Sequence, residues 1–170
     1  KLFDMPYAVD NIFFSSHATD EKVFALKSSL GISPEDKVIL FAGKMTRRKN
    51  PYQLLNAWKI LAKNLPKPPI LIFVGDGKLR HALESDAPEG VIFVGFQNQT
   101  AIPAFYAAAD LFVLVSEMEP WGLAINEAMA CGTAVVASNQ CGASYDLIDE
   151  DTGRMVGVGN QDALVEAISE

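Results

Sequence analysis

The chain has 170 residues, 49% of them hydrophobic, and carries 21 acids against 14 lysines and arginines for a net charge of -7. That size and apolar share suit one folded domain with a sizeable core, and the longest apolar stretch, residues 101–115, is broken by Pro103 and Asp110 and is too short to span a bilayer. Charge is split: residues 37–75 hold eight Lys or Arg and no acid, whereas residues 81–170 hold fourteen acids and Arg154 alone, which disfavours nucleic acid and points to a small anionic ligand held locally.

Residues 1–18 show no clear period and read as a lead-in segment, and nothing there reads as a signal peptide. Residues 20–30 follow as a helix, with Thr19 as its N-cap and Gly31 as its stop. Residues 37–42 form the first core strand. It leads into a basic loop, Gly43-Lys44-Met45-Thr46-Arg47-Arg48-Lys49; Asn50 as N-cap and Pro51 at the first helical position then open a helix to about Asn64. Residues 69–74 are a second strand, ending in Gly75-Asp76-Gly77, where Gly77 lets the backbone turn sharply before a short helix over 78–85. Neither a Walker loop nor a Gly-x-Gly-x-x-Gly fingerprint is present. Residues 91–94 are a third strand, followed by Gly95-Phe96-Gln97; a helix over 102–109 leads to Asp110, and 111–115 is a continuous apolar run of the kind buried on both faces of a parallel sheet. A helix over 122–131 stops at Gly132, 133–137 is a strand, and 138–144 a loop. Residues 151–156 turn into a last short strand, and Asn160 caps a final helix containing Ala163, Leu164, Ala167 and Ile168.

Strands alternate with helices six times, so the expected core is a parallel sheet covered by helices on both faces. No repeat or linker divides residues 1–170, which read as one domain. His17 and His81 read as surface or packing residues. Cys131 and Cys141 stand in no metal-ligand spacing, and two reduced, packing cysteines fit a cytoplasmic protein.

The chain is organised around residues 116–132, Ser-Glu-Met-Glu-Pro-Trp-Gly-Leu-Ala-Ile-Asn-Glu-Ala-Met-Ala-Cys-Gly, where a buried strand stops and a helix starts. The amides of Gly122, Leu123 and Ala124 belong to the first helical turn, and bare N–H groups there bind phosphate. Gly122 lacks the side chain that would block a close approach. Glu127 lies roughly 7 Å further along the axis, about the span from a pyrophosphate to its ribose, whose vicinal hydroxyls offer a carboxylate two donors. Glu119, on the other flank, can meet a sugar.

Glu119 and Glu127 are separated by seven residues, and Glu-Pro-Trp-Gly-Leu-Ala-Ile-Asn-Glu-Ala-Met-Ala-Cys-Gly-Thr-Ala-Val-Val-Ala closely resembles the signature of the retaining glycosyltransferases of family 4, also called glycosyl transferases group 1. The resemblance runs from about Pro6 to the end. Pro6-Tyr7-Ala8-Val9-Asp10 is similar to the opening of the donor domain, with Ala8 where Gly is usual. Gly43 to Lys49 is similar to Gly-Arg-Leu-x-x-x-Lys-Gly with Lys44 in place of Arg, and Tyr106 to Asp110 matches Tyr-x-x-Ala-Asp. Ala134 replaces a Pro, and Cys141-Gly142-Ala143 stands where the family shows Gly-Gly and then Glu, with Asp146 taking the acidic position.

The resemblance implies a Rossmann-like three-layer α/β/α domain with a six-stranded parallel sheet, one half of a GT-B fold, its ligand outside the C-terminal strand ends. It further implies that Lys44 and Lys49, on the Gly43 loop, face the donor diphosphate, where fixed cations stabilise the leaving nucleoside diphosphate as a metal does elsewhere. Lys44 gives up the bidentate fork of an Arg. Gly95, Phe96 and Gln97 would meet the nucleobase, through main chain and an apolar side chain, although Phe96 equally suits the core. Trp121 and Gly122 make the turn before the phosphate-binding amides of Gly122, Leu123 and Ala124; Glu127 would accept from the ribose, and the catalytic candidate Glu119 would position the transferred sugar first and act as nucleophile second. Tyr106 and Asp110 would seat the sheet. The expected partner is a UDP-, GDP- or ADP-linked sugar, with no metal and no cofactor. The N-terminal acceptor domain would lie outside this chain, together with any membrane contact. The alternatives are a nucleotide-sugar 2-epimerase or phosphorylase of the same architecture and a non-catalytic nucleotide-sugar-binding module. A doubly wound NAD protein or phospho-receiver is weaker, because the first strand–helix loop is basic and has neither a glycine fingerprint nor an acid cluster.

Overall fold

Short runs of β-branched, aliphatic and aromatic residues bounded by Gly or Asp suit strands buried on both faces. In the computed structural model, which describes residues 7–170, they form β1 (Val38–Ala42), β2 (Ile70–Val74), β3 (Val91–Gly95), β4 (Leu111–Leu114), β5 (Ala134–Ser138) and β6 (Gly153–Val156). All pair in parallel, in the order β3-β2-β1-β4-β5-β6. The strand order reverses between β1 and β4, and ligands of open α/β sheets bind outside the carboxyl ends of the strands at such a switch point. The seam there is short. Ile39 pairs with Leu111 and Leu40 with Phe112, whereas β1 and β2 stay in register from Val38↔Ile70 to Ala42↔Val74.

Parallel neighbours need crossovers, and helices supply them. The helices are α1 (Asn11–His17), α2 (Asp20–Ser29), α3 (Pro51–Asn64), α4 (Arg80–Asp86), α5 (Ile102–Ala108), α6 (Leu123–Ala130), α7 (Gly142–Leu147) and α8 (Gln161–Ser169). α1, α2, α5 and α6 pack together, as α3 does with α8, giving a three-layer α/β/α domain. The sheet between them is the core: Val38, Leu40, Phe41, Leu71, Ile72 and Phe73 are fully buried, each contributing roughly 1.5–3 kcal/mol. Asp110 joins the starts of β1 and β4, with Oδ2 accepting from Val38 N–H (2.9 Å) and Oδ1 from Lys37 Nζ (2.7 Å). No helix among the described residues is long and apolar enough to cross a membrane.

Two predicted caps are in place: Thr19 Oγ1 accepts from Lys22 N–H and Asn160 Oδ1 from Ala163 N–H. Asn50 differs. It adopts the left-handed region at φ 51° and turns its amide to Gln53 Oε1 (2.8 Å), because residues 47–49 form a 3-10 turn instead of an open loop. The lead-in segment also differs. Residues 1–6 lie outside the described residues, as does the Pro6 of the opening motif, but α1 forms after them, capped by Asp10 and anchored by Phe14. α4 starts two residues later than residues 78–85 predict, and α7 forms where 138–144 reads as a loop.

Candidate functional site

Four loops leave the carboxyl ends of β1 to β4 and meet over the switch point. The first three are knit backbone to backbone: Gly43 N–H donates to Val74 O (2.9 Å), Met45 N–H to Asp76 O (2.8 Å) and Gly75 N–H to Gly95 O (2.8 Å). Such bonds require the loops to touch. A Cβ on Gly75 would lie 2.1 Å from Gly43 O, and one on Gly77 2.3 Å from Met45 O, so these glycines serve close approach as much as the sharp turn expected of Gly77. Met45 is fully buried beneath, Lys44 stays exposed, and the 3-10 turn brings Lys49 round to face β4.

The loop after β4 is held from both flanks. Glu117 N–H donates to Arg48 O (2.7 Å) on one side; on the other, Glu119 N–H donates to Gln140 O (2.9 Å). Gly142 N–H and Ala143 N–H, at the start of α7, reach back to Glu119 O (3.1 Å) and Trp121 O (3.0 Å). A Cβ on Gly142 would sit 2.3 Å from Pro120 O, so this helix docks closely only because its first residue has no side chain. Residues 138–144 therefore lie behind the site and fix the loop that carries Glu119.

Between these loops opens a cleft of about 950 Å³. Its β1 side carries Gly43, Lys44 and Lys49; its β4 side carries Glu119, Trp121 and the first turn of α6, with Gly122, Leu123 and Ala124, and Glu127 follows further along that helix. Gly122 is left-handed at φ 100°, and a Cβ there would crowd Glu119 Cγ and Ile125 Cδ1 at 3.3 Å. Trp121 is braced by a bond from Nε1 to Asn126 Oδ1 (2.8 Å) and by the ring of Tyr7 at 5.4 Å. Phe96 and Gln97 complete the far wall; Phe96 is 77% exposed and so is a wall residue and not part of the core. Gly95 is a correction to the sequence reading. It is buried off the wall, its carbonyl is taken by Gly75 N–H, and a Cβ on it would meet Arg80 Nη1 at 3.1 Å.

Glu119 and Glu127 have different partners. Glu119 Oε2 forms an ion pair with Lys49 Nζ, the two side chains being 12% and 15% exposed, and accepts no hydrogen bond from another described group. Glu127 Oε2 accepts from the phenol of Tyr106 (2.7 Å). Tyr106 is 1% exposed, its ring packed edge-on against Phe14 and Phe112 and its carbonyl accepting from Thr133 Oγ1 (2.7 Å). Burial first, and Glu127 second, push its phenol well above the ordinary value, so it stays protonated and donates. Burial and the same carboxylate raise the half-buried Cys131 thiol to about 11. Tyr106 thus does more than seat the sheet; Asp110 does that.

Sequence reasoning also missed Arg48 and Asp76, both on the cleft wall. Arg48 lies within the basic run, which is its only local signal. The assembled cleft brings the exposed Lys44 and Arg48 and the first turn of α6 together with the carboxylates of Asp76, Glu119 and Glu127. Such a surface binds an anion flanked by hydroxyl-bearing groups.

Residues 23–170 match the family model described as glycosyl transferases group 1. Among curated proteins, the chain is 32% identical over 157 residues to an uncharacterized glycosyltransferase of Methanocaldococcus jannaschii, covering 89% of this chain and 40% of that protein. It is 33% identical over 151 residues to the D-inositol 3-phosphate glycosyltransferase of Mycobacterium ulcerans, covering 84% and 32%. Among solved structures, HepE of Anabaena in complex with UDP-glucose matches with a TM-score of 0.79 at 25% identity, over 95% of this chain and 45% of that one. Sucrose-phosphate synthase from Thermosynechococcus elongatus matches at 0.80 and 27%, over 96% and 41%. The solved neighbours are glycosyltransferases of the GT-B fold, and this chain spans less than half the length of each of these four relatives.

Proposed function

Because the chain belongs to the glycosyl transferases group 1 family, we propose that it is the nucleotide-sugar-binding, C-terminal half of a retaining family 4 glycosyltransferase. In this reading the donor diphosphate lies against the amides of Gly122, Leu123 and Ala124, with Lys44 and Lys49 opposite. Glu127 accepts from the ribose hydroxyls, and the nucleobase rests by Phe96 and Gln97. Glu119 orients the transferred sugar. Its pairing with Lys49 supports that role, since it puts a cation and an acid side by side where phosphate must meet sugar. As the sugar departs from the diphosphate, negative charge grows on the phosphate oxygens, and Lys44, Lys49 and the α6 amides are fixed donors aimed at it. A second domain of the same protein binds the acceptor.

One observation carries this reading: Lys49, Glu119, Glu127 and the first turn of α6, scattered over nearly half the chain, line a single cleft at the switch point of the sheet. UDP is the first ligand to try, because HepE is similar over almost the whole of this chain and its structure holds UDP-glucose. The test is a thermal-shift and calorimetric series with UDP, GDP, ADP and their glucose conjugates. A ligand at 100 times its dissociation constant should add about 2.7 kcal/mol of stability. Failure of every nucleoside diphosphate to bind would end the proposal.

A further inference from the structure

The ribose role of Glu127 leaves open what holds that carboxylate in place, and the contact beneath it answers. Glu127 stands on α6 at the cleft wall, and 21 residues earlier in the chain Tyr106 comes up from α5 with its hydroxyl 2.7 Å from Oε2. The phenol is far more confined than the acid. Its residue is 1% exposed, its ring is wedged between Phe14 and Phe112, and Thr133 Oγ1 ties its main chain to the segment that follows α6. Glu127 is the one acceptor found for its proton among the described residues.

The geometry points to Tyr106 as a positioning residue for donor binding: its buried hydroxyl fixes Oε2 of Glu127 and so turns Oε1 toward the ribose hydroxyls. This rests on the proposed placement of the ribose against Glu127. A buried O–H left without an acceptor is costly, so the phenol constrains whichever atom faces it to be an oxygen. Glu127 meets that demand with a second oxygen to spare. An amide does not. In Glu127→Gln the oxygen is drawn to the phenol and the NH₂ faces the cleft, where it offers the ribose diol a donor in place of an acceptor.

The experiment is a calorimetric titration of whichever of UDP, GDP and ADP binds most tightly, with its 2′,3′-dideoxy counterpart alongside, against wild type and three variants. Tyr106→Phe, which removes only the hydroxyl, should weaken the ribonucleotide about tenfold and leave the dideoxy ligand unchanged; a loss of general order in the domain would weaken both alike. Glu127→Gln should lose at least as much ribonucleotide affinity as Glu127→Ala. Adding Tyr106→Phe to Glu127→Gln should restore part of that loss, because the amide is then free to present its oxygen to the ribose. Glu127→Gln keeps the phenol bonded, so it remains informative even should Tyr106→Phe fold poorly. If wild type and Glu127→Ala both bind the two ligands equally, the ribose placement itself is wrong. If Glu127→Ala weakens the ribonucleotide and not its dideoxy counterpart, but Glu127→Gln keeps most of wild-type affinity, the ribose placement stands and the positioning role of Tyr106 is overturned.

Discussion

The two ends of the cleft use the same residue type in opposite company. At one end Glu119 faces Lys49, an oppositely charged group from the loop after β1; at the other Glu127 faces the neutral phenol of Tyr106, supplied from beneath by α5. A charge partner stabilises the ionised form and is itself available to any anion that enters. A neutral donor sets direction without competing for the ligand's charge. The lesson is that equal spacing along the sequence does not imply equal function: one acid belongs to an ionic network and the other to a directional hydrogen bond.

Breaking the ionic end should have the larger effect. Lys49→Met leaves Glu119 mostly buried without its cation and should cost about 2–3 kcal/mol in chemical denaturation, somewhat under the cost of breaking a fully buried pair because the cleft admits water. Adding Glu119→Leu should recover most of that stability. Lys49→Met should also weaken a nucleoside diphosphate far more than the monophosphate, and equal losses would remove Lys49 from the diphosphate site. At the neutral end, Glu127→Ala should cost about 2 kcal/mol in diphosphate affinity by calorimetry and also lower the unfolding midpoint, because the buried Tyr106 hydroxyl loses its acceptor; unchanged affinity would count against its contact with ribose.

A chemical probe sharpens the neutral end further. The Cys131 thiol, held at about 11 by burial and by Glu127, should alkylate slowly at pH 9. Glu127→Ala should speed that reaction, measured by mass spectrometry of the modified residue. No acceleration would mean that the carboxylate's field does not reach this sulfur. The smallest effect belongs to a control outside the cleft. Burial raises Asp110, but Lys37 and the Val38 amide outweigh it and hold the carboxyl below its ordinary 3.8. A lowered folded value contributes stability above 3.8 that is lost as pH falls through that lowered value. Asp110→Asn should therefore differ from wild type by under about 1 kcal/mol at pH 7, its side chain being 40% exposed, and by less at pH 3.

β1 to β5 were legible because each is largely an apolar run, β6 because a turn at residues 151–153 leads into it, and Lys49, Glu119 and Glu127 because they stand in a long motif. The rest depends on contacts between distant segments. α7 is six residues long and begins at Gly142, whose value lies in touching Pro120 of another loop, so no local period marks it. α1 is only about two turns long, capped by Asp10 and held through Phe14 against Tyr106. The Tyr106–Glu127 bond joins two helices and leaves no spacing signature in either. Gly95 carries the motif's glycine yet serves the strand ladder instead of the wall, since the carbonyl that would face a ligand is taken by Gly75.

The narrow join between β1 and β4 has a mechanical implication. With only Ile39↔Leu111 and Leu40↔Phe112 in register, the sheet resembles two three-stranded leaves sharing a thin spine, and the cleft straddles that spine. Anything gripping Lys49 on one leaf and α6 on the other acts as a staple across the fold. Deuterium uptake at the amides of residues 39–41 and 111–113 should accordingly slow when a tight donor is added, while uptake on β2 and β5 hardly moves.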